Sequence, residues 1–137
     1  MSVLIDRSTA LPMLPAAGVG ILLRIEGAAA LLGAVAVFAH VGASWWLFAA
    51  LFLVPDLTMA GYLKGPRLGA SVYNAGHTYV LPLLLGLIGG VASLPLALTI
   101  ATVWVAHIGL DRMLGYGLKL PSGFADTHLG RIGRTRN

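Results

Sequence analysis

Apolar residues run nearly unbroken over about residues 20–41, 44–63, 70–91 and 94–115. At about 1.5 Å rise per residue, helices of roughly 20 residues cross a hydrocarbon core about 30 Å thick. The breaks between the runs are turn-like: Val41-Gly42-Ala43-Ser44, then Lys64-Gly65-Pro66-Arg67, then Gly89-Gly90-Val91 through Ser93-Leu94-Pro95. Pro95 suits the first turn of the fourth helix. The pattern predicts an all-α fold, a four-helix transmembrane bundle over residues 20–116. Residues 1–19, mostly apolar with Pro12 and Pro15, are expected as a segment lying on the membrane surface. Residues 117–137 read as a short polar tail whose last few residues are expected to be disordered.

Composition agrees with a bilayer as solvent. Of 137 residues, 58% are hydrophobic and 10% charged, where a soluble chain carries roughly a quarter charged. Eighteen glycines match the raised glycine content of transmembrane helices. The basic excess, a formal net charge of +4, does not point to nucleic acid, because the basic residues are scattered singly and no nucleic-acid motif is present. No cysteine occurs, which excludes disulfides, iron–sulfur clusters and thiolate metal sites. The first run carries Arg24 and Glu26 near its start without a small-residue cleavage site, so it is expected to be a retained helix.

Basic residues set the orientation. Arg7 and Arg24 precede or open the first helix, Lys64 and Arg67 sit between the second and third, and Arg112, Lys119, Arg131, Arg134 and Arg136 close or follow the fourth. With four spans all nine fall on one side, which predicts that side, with both termini, to be cytoplasmic. Trp45 and Trp46 would mark the outer interface, and Tyr62, Tyr73 and Tyr116 the inner one, as simple anchors. Gly86-x-x-Gly89 offers a close helix packing contact.

Polar residues inside the runs carry the candidate chemistry, because a charge in a bilayer core costs several kcal/mol unless paired or hydrated. They are Glu26, Asp56, Asn74, His77, His107, Asp111 and Arg112. Asp56 lies eight residues before Lys64 and His77 ten after Arg67, about 12 and 15 Å inward. His107 and Asp111 lie twelve and eight residues before Lys119. Four helices thus bring polar groups to one layer of the cytoplasmic leaflet. His107 and Asp111, four apart, share a helix face, as do Asn74 and His77, three apart. Pro55 removes a backbone hydrogen bond beside Asp56 and would leave a carbonyl available to bind something.

Imidazole and carboxylate donors without thiolate suit Zn, Fe or Mn. Di-iron carboxylate bundles follow a similar plan, although their Glu-x-x-His motif is replaced here by Asn74-x-x-His77. Blander readings stand beside this one. Asp111 with Arg112, and Glu26 with Arg24, form interfacial ion pairs in that view, and His77 and His107 serve as hydrogen-bonding glue between helices. His40, at the outer end of the first helix, is expected to be solvated, and His128 would have to fold back from the tail to join a site.

The same residues carry a family resemblance. The blocks are Pro55-Asp56-Leu57-Thr58-Met59-Ala60-Gly61-Tyr62, Tyr73-Asn74-Ala75-Gly76-His77-Thr78-Tyr79, His107-Ile108-Gly109-Leu110-Asp111-Arg112 with Gly115-Tyr116-Gly117-Leu118-Lys119, and Phe124 with Asp126-Thr127-His128-Leu129-Gly130. Over about residues 22–132 the chain resembles a small bacterial membrane family catalogued as domain of unknown function 4260. The resemblance implies a multi-pass protein of the bacterial inner membrane and raises the standing of His128. Its name carries no activity. In ligand types alone the chain is also similar to inner-membrane metal-dependent hydrolases, an analogy rather than a kinship.

The expectation is therefore a divalent metal held by Asp56, His77, His107 and Asp111, completed by His128 or Glu26, in a hydrolase of a lipid or other membrane-associated substrate that Asn74 or Tyr79 would orient. Two alternatives remain open: a proton-coupled transporter or proton relay using the same residues, and a non-catalytic subunit of a larger membrane complex. The partners implied are the bilayer and a homo-oligomer or larger membrane complex.

Overall fold

A computed structural model describes residues 17–133. Most of the expected interfacial segment, with Arg7, and the end of the tail, with Arg134 and Arg136, lie outside the described residues. The described chain is all-α apart from one small hairpin, and four of its helical stretches are long and apolar enough to cross a membrane: Gly18–Val41, Trp45–Lys64, Pro66–Val91 and Pro95–Leu114.

Two of these spans are continuous helices, α1 (Ala17–Val41) and α5 (Pro95–Leu114). The other two are broken: the second beside Pro55, where a lost backbone hydrogen bond is expected, and the third at a point where an unbroken run is expected. The second is α2 (Trp45–Phe52) followed, after a turn at Leu53 and Val54, by a 3-10 segment, Pro55–Lys64. The cause is Pro55, which has no N–H for the carbonyl of Leu51. That carbonyl instead accepts from the Val54 N–H at 3.1 Å, and Asp56 and Leu57 continue with bonds three residues back. The carbonyl expected to stand open beside Asp56 is thus taken by the tighter winding. Gly65, at φ 110°, ends the segment in a conformation that side chains rarely adopt.

The third span is α3 (Pro66–Gly76), a break at His77–Tyr79, and α4 (Val80–Val91). Backbone groups freed by such a break must be satisfied inside a membrane. Here α5 supplies the donors: Trp104 Nε1 donates to the Gly76 carbonyl at 2.6 Å, and Arg112 Nη2 to the His77 carbonyl at 3.0 Å. Arg112 therefore makes no pair with Asp111, and among the described residues neither does Glu26 with Arg24.

The centre of the bundle is α5, which packs against α1, α4 and α2, while α3 packs on the 3-10 segment. Of its apolar window 44% is buried, against 6% for the second span, so α5 forms the core and the others wrap it. Close approach depends on glycine. A Cβ on Gly109 would stand 2.7 Å from the Leu31 backbone nitrogen and 2.8 Å from the Gly27 carbonyl oxygen. Gly89 meets the Leu98 nitrogen in the same way on the α4–α5 side, and Gly86 faces Ala101. Large side chains such as Leu32, Leu63 and Leu83 point outward, as helices bathed in acyl chains require.

At the end of α5, Gly115 adopts a left-handed conformation, and the Tyr116 N–H bonds back to the Asp111 carbonyl at 2.7 Å. The tail then folds onto the bundle. Strands β1 (Asp126–Thr127) and β2 (Gly130–Arg131) form an antiparallel hairpin. Asn74 fixes its approach through two hydrogen bonds to one residue: its Nδ2 donates to the Lys119 carbonyl at 2.9 Å, and its Oδ1 accepts from the Lys119 N–H at 2.7 Å.

Candidate metal centre

Both helix breaks and one face of α5 meet at a single cluster. Asp56 enters from the first turn of the 3-10 segment, His77 from the break in the third span, and His107 and Asp111 from successive turns of α5. His107 Nε2 lies 3.2 Å from His77 Nε2. Asp56 Oδ1 lies 3.6 Å from His77 Nε2 and 3.5 Å from His107 Nε2. Asp111 Oδ2 approaches the same two nitrogens at 3.6 and 3.9 Å. A tetrahedral ion with bonds of about 2.0–2.1 Å sets its ligand atoms about 3.3–3.4 Å apart. The observed separations scatter about that value, so Asp56, His77 and His107 could hold a metal ion.

Surrounding groups fix these side chains. His77 is 1% exposed, and its Nδ1 donates to the Tyr73 carbonyl at 2.9 Å, which leaves the Nε2 lone pair facing the cluster. Its ring stacks on Tyr73, with centroids 3.7 Å apart and planes at 11°. The Tyr73 hydroxyl donates to Asp111 Oδ2 at 3.2 Å. Thr58 Oγ1, bonded to the Pro55 carbonyl at 2.6 Å, stands 3.5 Å from His77 Nδ1. His107 meets the edge of Phe52 at 5.2 Å, and its buried Nδ1 has no partner. Asp56 is the open edge of the cluster, with its side chain 34% exposed, against 15% for Asp111.

Tyr73 departs from expectation. It is a buried support of the cluster rather than an anchor in the membrane interface. Its i, i+4 spacing to His77 is the signal that a reading of the sequence passes over. Nothing in the sequence singles out Trp104 or Phe52.

The structure does not bring every candidate together. Glu26 is exposed on α1. His128 is exposed in the tail, where its Nδ1 accepts from the Leu118 N–H at 2.8 Å. Partial desolvation of its ring and the nearby Arg112 hold His128 below the usual histidine range. Asn74 is committed to the Lys119 backbone, and the Tyr79 hydroxyl is buried without a partner at the start of α4. His40 is exposed at the end of α1.

Lys119 closes this end of the bundle. It is 5% exposed, its Nζ donates to the Phe124 carbonyl at 2.9 Å, and it lies over the rings of Phe124 and Tyr73 at 4.0 and 5.2 Å. Burial pushes its ammonium below the ordinary lysine value, against an opposing pull from Asp111.

The cluster's Asp56, His77, His107 and Asp111 and its support Tyr73 all fall within residues 20–132, the stretch that matches the family described as Domain of unknown function (DUF4260). The chain belongs to the DUF4260 family. No curated protein and no solved structure matches it.

Proposed function

We propose that this DUF4260 protein is a membrane metalloprotein in which Asp56, His77 and His107 hold a divalent ion, with Asp111 as a fourth ligand. The observation that carries the reading is the convergence of both Nε2 atoms and Asp56 Oδ1 at 3.2–3.6 Å, close to the edge length of a metal tetrahedron. The donor set suits Zn, Fe or Mn. The activity we assign is hydrolysis of a membrane-associated substrate, because an ion held there would lower the pKa of a bound water toward about 7. Asp56, the most exposed of the ligands, marks the side from which water and substrate enter. The one-sided distribution of Lys and Arg supports placing the basic end of the bundle, with both termini, in the cytoplasm of a bacterial inner membrane.

The direct test is elemental analysis of protein purified after growth with Zn, Fe and Mn, before and after chelation. Stoichiometric metal in the wild type and its loss in His77→Ala are expected. Absence of metal, or equal metal in the variant, removes the reading.

One observation favours a second reading, a proton relay. A metal-ligating histidine usually donates its other ring N–H to a partner, and His107 Nδ1 has none. A metal-free pair in which His107 Nε2–H donates to His77 Nε2 leaves Nδ1 unprotonated, the cheaper arrangement. That reading predicts pH-dependent proton flux in liposomes, lost in Asp56→Asn, with no metal bound.

A further inference from the structure

A cavity of about 230 Å³ adjoins the cluster. Leu51, Val54, Ile100 and Trp104 make its wall apolar, and the remaining lining comes from Pro55, Thr58 and Gly76. Those last three are the immediate neighbours of the cluster: Pro55 precedes Asp56, Gly76 precedes His77, and Thr58 Oγ1 stands 3.5 Å from His77 Nδ1.

The depths of the two features are ordered along α5. Asp111 and His107 lie three and seven residues from Leu114, the basic end of the helix, about 5 and 10 Å. Trp104 and Ile100 lie ten and fourteen residues from it, about 15 and 21 Å. Polar groups therefore occupy the half of the span near the basic end, and the cavity occupies the middle. A membrane lipid has the same order of polarity, with its ester or headgroup near the interface and its chain toward the midplane.

The medium selects the occupant. An apolar cavity of this kind does not hold water, which needs two to four polar partners. Val54, on its wall, is 48% exposed and continues into the exposed surface of Leu53 and Leu57, so the cavity is continuous with the lipid-facing side. The volume admits roughly seven or eight groups of about 30 Å³, the liquid-phase share of a water molecule and close to the bulk of a methylene. That is part of one chain. Because bilayer and cavity are equally apolar, the cavity adds little hydrophobic affinity. Its effect is to align a chain so that the chain's polar end meets Asp56.

We propose that this cavity seats the acyl chain of a membrane lipid and that acyl-chain lipids are the substrate class of the centre; the second half of the proposal rests on the metal-centre reading above. The probe is phosphatidylglycerol carrying a diazirine in one acyl chain, photolysed with the full chain in nanodiscs, with labelled residues mapped by mass spectrometry. Labelling of Leu51, Ile100 and Trp104 is expected to exceed severalfold that of Leu32 and Leu84, which face the bilayer on α1 and α4. Leu51→Trp and Ile100→Trp, on separate helices and combined in one variant, take up much of the cavity and are expected to return labelling at Trp104 to the level of Leu32 while metal content is unchanged. Equal labelling at all these positions in the wild type, or unchanged labelling in a folded filled variant, overturns the proposal. Metal-free protein with concentrated labelling sinks the metal centre and leaves the chain site standing. Metal-loaded protein with uniform labelling does the reverse.

Discussion

Tyr73→Phe separates a metal centre from a set of residues that merely lie together. The substitution removes one bond, from the Tyr73 hydroxyl to Asp111 Oδ2 at 3.2 Å, and keeps the ring that stacks on His77 at 3.7 Å. Two magnitudes bracket the cost. Hydrogen bonds between membrane helices average about 0.6 kcal/mol by double-mutant cycles, and bonds to charged groups contribute about 1.5–3 kcal/mol. At 3.2 Å the bond is long for an O–H donor, whose usual distance is about 2.7–2.8 Å, so the lower part of the range applies. With about 1.4 kcal/mol per factor of ten, metal affinity should fall about threefold to tenfold. Competition against a chromophoric chelator, in nanodiscs and with Zn, measures it. Stoichiometry should remain that of the wild type, because no ligand is removed. An affinity within error of the wild type would refute the claim that Asp111, oriented by Tyr73, belongs to the ligand set. Loss of all metal would instead assign Tyr73 a role in holding the fold.

Gly109→Val should destabilise the bundle, since its Cβ would meet the backbone of Leu31 and Gly27 on the facing helix, which cannot rotate away; overpacking of this kind costs about 1–3 kcal/mol and sometimes more. Gly33→Ala is the control, because nothing lies within 4 Å of the added carbon, and a thermal unfolding midpoint in detergent that falls equally for both would contradict the packing described. Asn74→Ala removes both bonds to the Lys119 backbone, about 1–3 kcal/mol of tail docking at 0.5–1.5 kcal/mol each; trypsin should then cut at Lys119 much faster, and unchanged cleavage would show that the tail is held elsewhere. His128 gives that docking a pH dependence. Its folded-state pKa is lowered from 6.5, so the docked tail binds fewer protons than the released one, and docking present above about pH 6.5 weakens as pH falls through the folded value. Faster cleavage at acid pH, abolished in His128→Gln, is expected; a pH-independent rate would be the contrary result.

The hydrophobic pattern was enough for the spans. Four runs of apolar residues with basic residues at one set of ends admit little besides a helical bundle, because in lipid the backbone must satisfy its own hydrogen bonds. Gly86-x-x-Gly89 was legible as a packing contact for the same local reason. The glycines that matter more, Gly27 and Gly109, carried no comparable signal, because their partner is a helix distant in sequence. Pro55 announced a distortion, but not that the 3-10 winding would consume the Leu51 carbonyl.

The membership of the cluster was partly legible. Asp56, His77, His107 and Asp111 are polar groups in oily runs, and the cost of isolating them predicts that they meet. What the sequence by itself determined is that these groups share a depth and need partners, since both follow from counting residues along helices of known rise. Only the tertiary structure decided which partners they find. It left Glu26 facing outward, committed His128 to Leu118 and Asn74 to Lys119, and turned Tyr73 inward. Helical periodicity gives the height of a side chain and its bearing relative to neighbours on its own helix. The rotation of each helix about its axis is set by packing against the others, at Gly109 against Gly27 and at the broken third span against Trp104 and Arg112.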